Sequence, residues 1–522
     1  MVGLCALPAI AGASYVYVTN YADNDVSVID TATKTKVGSD IAVGTSPGGI
    51  AITPDGAHAY VSNVDANTVS VIDTATNTKV GSDIAVGIGM FAIAITPDGA
   101  YAYVTNSFAG TVSVIDIATK TKVGSDIAVS RYPYALAITP NGAYAYVTNL
   151  FGSAVSVIDI ATNTKLGDDI AVGTNPIGIA ITPDGAYTYV ANLGANTVSV
   201  IDTATKTKVG SDIAVGTNPL GIAITPDGAY AYVSNAGANT ASVIDTATKT
   251  KVGSDIAVGA EPGGIAITPD GAYAYVTNYT GNTVSVIDTA TKTKVGSDIA
   301  VGTNPNAIAI TPDDAYAYVA NLTANTVSVI DTATKTKVGS DIAVGHGSYG
   351  IAITPDGAYA YVANGPANTV SVIDTATKTK VGSDIAVGTF PYGIAITPGN
   401  LDLSVSAKKK QKAKKLKLRV SCGDEIPCSV NITGKAKIPK KGQGKKTKSF
   451  KLKTKTYELQ AGQTKKVTLK LKKQKKALTK IAKMQKGYKK ARKRSRVVAS
   501  VSATGVGIGS PAHTHKKIKL KG

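Results

Sequence analysis

The chain has 522 residues and a formal net charge of +20, but its two parts carry opposite charge. Residues 401–522 hold 38 Lys and Arg against 4 Asp and Glu, whereas residues 1–400 hold 17 basic and 31 acidic residues. This asymmetry predicts a domain boundary near residue 400. The chain has no Trp and only four His, so most metal and acid–base chemistry lacks its usual residues. No apolar run is long enough to predict a transmembrane helix.

The opening residues 1–13, MVGLCALPAIAGA, resemble the end of a secretory signal. Ala11-Gly12-Ala13 is a small-residue cleavage site, but the basic leading region of a signal is missing, so an irregular terminus is the alternative. In the basic part, Cys422 and Cys428 flank the turn-like GDEIP. This spacing suits a disulfide in an oxidising compartment, or two unrelated thiols. We predict a secreted protein, extracellular or on the cell surface.

Nine copies of one phrase occupy residues 14–400. The Asp that closes each SVID-type segment recurs every 43 residues, at positions 30, 73, 116, 159, 202, 245, 288, 331 and 374. Each repeat has four runs rich in Val, Ile, Tyr and Thr: GIAIT, AYAYVTN, NTVSVID and KVGSDIAVG. Such runs predict strands, and four antiparallel strands in a repeat of this length are typical of a β-propeller blade. A β-solenoid is the alternative, but TPDG turns join antiparallel strands whereas solenoid coils run parallel.

The first repeat lacks its first strand. The repeat region starts on the second run, SYVYVTN (14–20), and ends on an isolated first run, GIAITPGN (393–400). A closed ring lets this last run complete the first blade, whereas an open array leaves two unpaired edges. We therefore predict an all-β propeller of nine blades over residues 14–400, closed by strand exchange between its ends. Propellers typically have four to eight blades, so closure at eight with one frayed repeat is the alternative.

The segments YVTN (17–20, 103–106, 146–149 and 275–278), NTVSVIDTAT and IAITPDG resemble the YVTN β-propeller repeat family of prokaryotic surface-layer-like proteins. The resemblance covers residues 14–398. It implies an extracellular or cell-surface propeller and brings no shared catalytic residues. One departure is TKTK between the third and fourth runs, where relatives often have Gly, and a longer turn is expected there.

Comparison of the nine copies predicts one variable face. In an antiparallel blade the first and third connections lie on one face of the ring, and the second and fourth lie on the other. The first (TPDG) and third (DTATKTK) hardly change, whereas the second and fourth vary and carry the rare residues of the propeller. The candidate binding residues in these connections are Phe91, Phe108, Arg131, Tyr132, Tyr134, Phe151, Glu261, His346, Tyr349, Phe390 and Tyr392.

The residue before each innermost strand is expected to rim the mouth of the central channel. Exposed aromatic residues there predict a surface for a protein or glycan ligand. Loop drift after duplication is the alternative, although drift would tend to add polar residues rather than Phe and Tyr. The nine rim residues are Gly48, Phe91, Tyr134, Ile177, Leu220, Gly263, Asn306, Tyr349 and Tyr392.

No constellation in the propeller predicts catalysis. His58, which replaces a Tyr of the other copies, is interpreted as a surface or packing substitution. His346 has no second His near it in the pattern, and Glu261 and Arg131 lie blades apart, so no acid–base pair can be placed. Calcium bound by DNDV or TPDG oxygens is only weakly indicated, and phosphate-loop, nucleophile-elbow and CxxC motifs do not occur. We predict a non-enzymatic chain without cofactor or metal; the alternative is a lactonase-like propeller hydrolase or lyase.

Residues 401–522 alternate apolar residues with Lys, as in KLKLRV (415–420) and KVTLKLKK (466–473). This period predicts about seven half-buried strands, with one short helix around 475–486, in a small β-sandwich. The pattern, with RVSCGDEIPCSV, resembles the Lys-rich Ig-like domains that end many secreted actinobacterial proteins. Its charge predicts attraction to anionic cell-wall polymers or lipid headgroups, with simple solvation as the alternative. Nucleic acid is disfavoured because aromatic stacking groups are scarce.

Overall fold

The computed structural model describes residues 14–398 throughout and, beyond them, only a set of strands between 404 and 519. The chain divides by its contacts into two compact units, residues 1–397 and 398–522. The first unit consists of nine β-sheets, the blades of a propeller. No helix occurs in the parts that the structure describes, and none of these parts is a candidate membrane-spanning helix.

Each blade is an antiparallel sheet in the order inner, second, third and outer strand. We number the blades 1 to 9 along the chain, from the second strand Tyr15–Asn20. The inner strands of blades 1 to 9 are Pro391–Ile396, Pro47–Ile52, Met90–Ile95, Pro133–Ile138, Pro176–Ile181, Pro219–Ile224, Pro262–Ile267, Pro305–Ile310 and Ser348–Ile353. The second strands are Tyr15–Asn20, His58–Asn63, Tyr101–Asn106, Tyr144–Asn149, Tyr187–Asn192, Tyr230–Asn235, Tyr273–Asn278, Tyr316–Asn321 and Tyr359–Asn364. The third strands are Asp25–Asp30, Thr68–Asp73, Thr111–Asp116, Ala154–Asp159, Thr197–Asp202, Thr240–Asp245, Thr283–Asp288, Thr326–Asp331 and Thr369–Asp374.

The second and third strands are buried on both faces because each blade is covered by two neighbours. Between blades 1 and 2, for example, Tyr17, Val26 and Val28 pack against Val61 and Ile72. Nine such cores, one at each junction, run around the ring. Burial on both faces explains why these runs are apolar or small at successive positions instead of alternating with polar residues.

The ring closes as the sequence predicts, with nine blades and not eight. Strand 391–396 pairs antiparallel with strand 15–20, so that Val16 lies opposite Ile396. The core at this junction repeats the residue types of the others, with Tyr361 of blade 9 packed against blade 1. The first blade therefore receives its inner strand from the far end of the propeller sequence.

The outer strand is not the single run predicted from KVGSDIAVG. In every blade it consists of two short pieces, both paired with the third strand. In blade 1, Gly38 lies between the pieces with a φ of 62°, a left-handed conformation that interrupts the ladder. Asp40 then turns back to accept a hydrogen bond from the Ser27 hydroxyl at 2.5 Å and to pair with Lys36 at 2.6 Å. The two pieces in blades 1 to 9 are Thr35–Lys36 and Ile41–Ala42, Thr78–Lys79 and Ile84–Ala85, Thr121–Lys122 and Ile127–Ala128, Thr164–Lys165 and Ile170–Ala171, Thr207–Lys208 and Ile213–Ala214, Thr250–Lys251 and Ile256–Ala257, Thr293–Lys294 and Ile299–Ala300, Thr336–Lys337 and Ile342–Ala343, Thr379–Lys380 and Ile385–Ala386.

In the second unit the structure describes backbone strands only. The predicted helix around 475–486, the predicted Cys422–Cys428 disulfide and residues 1–13 fall outside what is described, and the Ig-like sandwich stays a prediction. The antiparallel pairings are Ser404–Ser406 with Leu416–Ser421, Leu416–Ser421 with Thr464–Leu469, Cys428–Ile432 with Lys455–Leu459, Lys435–Pro439 with Thr447–Lys451, and Ser500–Val501 with Ile518–Lys519.

Candidate binding face

The second and fourth connections share one face of the ring, which we call the variable face. They are hydrogen-bonded to each other in each blade; in blade 1 the Tyr21 amide donates to the Phe390 carbonyl at 3.0 Å. The first and third connections share the opposite face, which we call the turn face. There the Thr74 amide donates to the Ala57 carbonyl at 3.0 Å. The structure thus separates the connections as the comparison of copies predicts.

The first aromatic cluster on the variable face comprises Phe91, Phe108, Tyr132, Tyr134 and Phe151, from blades 3 and 4. The ring of Phe91 lies 4.1 Å from that of Tyr134, and the ring of Tyr132 lies 5.7 Å from Phe108 and 4.8 Å from Phe151. The rings hold neighbouring loops together, since distances near these are typical of aromatic pairs. Even so, the three Phe side chains remain 54%, 71% and 56% exposed in chain order.

The second cluster comprises Tyr21, Tyr349, Phe390 and Tyr392, from blades 9 and 1. Tyr349 lies 5.6 Å from Phe390 and 6.1 Å from Tyr392, and Tyr21 lies 6.4 Å from Tyr392, between ring centroids. Tyr392 is 51% exposed. Sequence reasoning missed Tyr21. Its position at the start of a second connection is shared by Tyr279, so the sequence did not distinguish a Tyr in a cluster from one outside it.

Tyr134 of the first cluster is half-buried at the start of its inner strand. Partial burial raises the pKa of Tyr134, and the nearby Tyr132 and Tyr392 hydroxyls raise this pKa further. Tyr134 belongs to blade 4 and Tyr392 to blade 1. The rim residues of blades 3, 4, 9 and 1 are all aromatic, and we call this set the aromatic collar.

The charged candidates are not gathered with the aromatic ones. Arg131, Glu261 and His346 are exposed and lie in the connections that lead into blades 4, 7 and 9. None of the three takes part in an ion pair or a ring contact with another described residue. Glu261 has a φ of 54°, and its amide donates to Asn239 Oδ1 at 2.8 Å, which is the behaviour of a turn residue.

The turn face carries repeated contacts between blades. In blade 1 the third connection is a four-residue turn closed by the Lys34 amide, which donates to the Asp30 carbonyl at 2.8 Å. Lys34 fills the left-handed position, with a φ of 57°, and its ammonium lies 4.1 Å from the ring centroid of Tyr359 in blade 9. Five further pairs repeat this cation–π contact: Lys206 with Tyr144, Lys249 with Tyr187, Lys292 with Tyr230, Lys335 with Tyr273 and Lys378 with Tyr316.

Three junctions depart from this pattern. At two of them Asn replaces the Lys, and Asn77 and Asn163 accept hydrogen bonds from the buried hydroxyls of Tyr17 and Tyr103. At the third, His58 replaces the ring-bearing Tyr. Desolvation, and after it the positive charge of Lys120 in the next blade, lower the pKa of His58. The packing interpretation of His58 agrees with this position.

The Asp residue of each GSDI-type segment contacts other residues of its own blade. Asn20 donates to the Ser27 hydroxyl at 2.9 Å, Ser27 donates to Asp40 at 2.5 Å, and Lys36 pairs with Asp40. The Ser–Asp hydrogen bond and the Lys–Asp pair recur in other blades, for example at Ser156 with Asp169. Within residues 14–398, no three His, Cys, Asp or Glu side chains are grouped closely enough to hold a metal ion.

Comparison with known proteins gives one family and several structural neighbours. A family model described as YNCE-like beta-propeller matches residues 2–308 and, in an overlapping match, residues 256–404. A search of curated proteins finds no match. Solved structures similar to this chain include dihydro-heme d1 dehydrogenase NirN in complex with DHE (17% identity, TM-score 0.55, 75% of this chain and 77% of that chain). Others are apo AztD from Citrobacter koseri (15%, 0.50, 74% and 98%) and Kuenenia stuttgartiensis hydrazine synthase (27%, 0.41, 55% and 96%). The likeness to NirN and AztD shows the propeller fold alone.

Proposed function

Because the chain belongs to the YNCE-like β-propeller family, we propose that it acts as a non-enzymatic binding scaffold, secreted or held at the cell surface as in surface-layer-like proteins. The variable face presents the surface for a protein or glycan partner. The basic residues 401–522 attach the chain to anionic envelope polymers. The rigid, closed ring keeps the binding surface in a fixed shape.

One observation carries this proposal. All six strongly exposed large apolar side chains of the propeller lie on the variable face: Tyr21, Ile88, Phe91, Phe108, Phe151 and Tyr392, each between 36% and 71% exposed. On the turn face the aromatic side chains are instead covered, six of them by Lys. Contiguous exposed apolar side chains with a polar surround are typical of interaction surfaces.

The charge of residues 401–522 supports the attachment. With 38 basic and 4 acidic residues, this part attracts polyanions through a field that salt screens. Peptidoglycan sacculi that carry teichoic acid are a suitable probe. The full chain should sediment with them at low salt, and retention should fall steeply as the salt concentration rises.

Two controls are used. The first is the full chain with the same sacculi after removal of teichoic acid, and the second is a chain that ends at Pro398 with the untreated sacculi. The strand that closes the ring ends at Ile396, so the shortened chain keeps its nine blades. We expect both controls to lose retention. Retention that is equal for both chains, or indifferent to salt, would contradict the attachment role.

The lactonase-like alternative is tested separately. An acid–base or metal site in a propeller requires paired His, Asp or Glu side chains, and Arg131, Glu261 and His346 belong to three different blades. We therefore expect the purified chain to leave lactone substrates intact with and without added divalent cations. Metal-dependent lactone hydrolysis by the chain would reverse the proposal.

A further inference from the structure

The rim residues of the two aromatic clusters are arranged symmetrically about blade 2. One belongs to blades 3 and 4 and the other to blades 1 and 9. Blades 3 and 1 are the two neighbours of blade 2, and blades 4 and 9 are the next ones along the ring. At the rim, Phe91 of blade 3 corresponds to Tyr392 of blade 1, and Tyr134 of blade 4 corresponds to Tyr349 of blade 9. The second connections of blades 3 and 1 add Phe108 and Tyr21 at neighbouring positions, whereas Tyr132, Phe151 and Phe390 correspond to Gly347, Pro366 and Gly89 and have no aromatic counterpart. Nothing in the ninefold repeat requires this correspondence.

Such an arrangement is self-complementary. Consider two rings that meet face to face about a twofold axis lying between them and passing over blade 2. Blade 3 of one ring then meets blade 1 of the other, and blade 4 meets blade 9, because the second ring runs in the opposite sense. Each cluster covers the other cluster of the second copy, and the same contact occurs twice, as in isologous dimers.

We propose that the variable face pairs with the variable face of a second copy of this chain. The inference rests on the proposed function, since it names the partner of the surface described there. In this dimer Phe91 faces Tyr392 of the second copy, and Tyr134 faces its Tyr349. The aromatic collars of the two copies then cover each other at the channel mouth.

Charge favours this face for self-association. Residues 1–400 hold 31 acidic and 17 basic residues, so two propellers repel each other over most of their surface. The second and fourth connections contribute only Asp23, Asp65 and Glu261 as acids and Arg131 as a base. The variable face is therefore the part of the ring where two copies approach with the least repulsion.

The exposed apolar side chains supply more than half of the area that a dimer interface covers. Phe91, Phe108, Phe151, Tyr392 and Ile88 each expose between 51% and 71% of their surface. An aromatic side chain presents about 150–250 Å², so these five residues expose on the order of 500 Å². The half-buried rings beside them add to this area. A stable interface covers about 800 Å² on each partner.

The described ends of the propeller lie on the turn face. The Ser14 carbonyl accepts a hydrogen bond from the Thr31 amide at 3.0 Å, and Thr397 Oγ1 accepts one from the Tyr15 amide at 2.8 Å. Both contacts lie on the turn face, where the first and third connections meet. Neither end of the described propeller crosses the surface that the dimer would bury.

Sedimentation equilibrium of the full chain, from low to high micromolar concentration, measures the dimer directly. We expect a reversible monomer–dimer equilibrium. Phe91→Glu should weaken dimerisation at least about tenfold, because it buries a carboxylate against the Tyr392 ring twice per dimer. Tyr392→Lys should weaken it less, because its ammonium meets the Phe91 ring in a cation–π contact. Both side chains are more than half exposed, so each change costs the propeller little beyond its ring contacts, and a thermal midpoint checks that each variant folds.

The double variant Phe91→Glu/Tyr392→Lys is the decisive measurement. In the proposed pairing it sets an acidic side chain against a basic one at both contacts, and dimerisation should recover to within about threefold of the original chain. Ala75→Glu, an exposed change in the third connection of blade 2, places the same charge on the turn face, which the pairing leaves outside the interface. It should alter dimerisation by less than about twofold.

A chain that stays monomeric at every concentration, or a dimer that neither single change weakens, overturns the pairing. A double variant that fails to recover overturns it as well. If the pairing fails while salt-sensitive retention on teichoic-acid sacculi persists, the proposed function stands without it. If retention fails too, both are refuted.

Discussion

At the scale of single residues, one side chain in each third connection determines how two blades meet. Lys reaches across to a Tyr ring of the preceding blade, whereas Asn accepts a hydrogen bond from the buried Tyr of the second strand. Where Lys is present, as at Tyr232, the buried hydroxyl finds no acceptor among the described residues or has only a long contact. Lys and Asn both occupy the left-handed position, with φ between 54° and 59°, so the choice between them changes the contact and leaves the turn unchanged.

Asn77→Gly and Lys249→Gly form a matched pair that tests this account. Both keep a residue that favours positive φ, but the first removes the acceptor of the buried Tyr17 hydroxyl and the second removes a cation–π contact at an exposed turn. We expect a loss in free energy of unfolding of about 1–3 kcal/mol for Asn77→Gly. The loss for Lys249→Gly should be about 0.5–1 kcal/mol. Denaturant unfolding of both variants measures this, and an equal or reversed order would contradict it.

His58 gives the junction of blades 2 and 3 a dependence on pH. Its pKa lies below the ordinary 6.5 because of desolvation and the charge of Lys120, against the smaller opposing influence of Asp73 and Asp55. The unfolded chain therefore takes up a proton more readily than the folded one. The stabilisation that comes from keeping His58 neutral is fully present above pH 6.5. It is lost as the pH falls from 6.5 through the pKa that His58 has in the folded protein.

His58→Tyr restores the residue of the other copies and removes this dependence. Thermal midpoints of the two proteins should differ little at pH 8, and the difference should widen in favour of the Tyr variant between pH 6.5 and 5. Apart from Asp73, whose pKa the charge of His58 helps to lower, the titrating groups have the same surroundings in both proteins, so the comparison isolates His58 and this one neighbour. Parallel midpoints over that range would show that His58 does not titrate differently on folding.

At the scale of elements, packing between neighbouring inner strands limits the size of the side chain at one position in every blade. The third residue of each inner strand is Gly or Ala in all nine copies. A Cβ atom at Gly393 would lie 2.5 Å from the carbonyl oxygen of Gly48 in the next blade, whereas at Gly264 the nearest atom, the Thr277 hydroxyl, is 3.4 Å away. Neighbouring inner strands are therefore crowded to different degrees around the channel.

Gly393→Ala and Gly264→Ala test this crowding with one chemical change. Overpacking against backbone should cost the first variant about 1–3 kcal/mol. The second should be neutral or gain up to about 1 kcal/mol, because Ala restricts the unfolded chain. Unfolding midpoints measure both. Equal effects would mean that the junction of blades 1 and 2 can relax more than the structure indicates.

The interruption of the outer strand could not be predicted from the residues of that run alone. Val, Ile and Ala in KVGSDIAVG predict a strand, and both ends of the run do pair with the third strand. The interruption arises from Gly38 in its left-handed conformation and from Asp40 bonded to Ser27. These interactions join segments 13 residues apart in the chain, so a reading of one run alone misses them.

At the scale of the whole molecule, the repeat makes most of the fold predictable. The strand pairing and core packing of one junction recur at every junction, so blade number, ring closure and the separation of two faces follow from the spacing of nine phrases. The aromatic clusters do not follow in the same way. They depend on which loops touch, and Tyr21 could be told from Tyr279 only after the ring placed it beside Tyr392.

Closure of the ring is the central claim, because both faces and the pairing of two copies depend on it. An experimental density map of the full chain tests it most directly. We predict nine blades in this map, with strand 391–396 antiparallel to strand 15–20 and Val16 opposite Ile396. A map with eight closed blades, or with strand 391–396 away from strand 15–20, would contradict it.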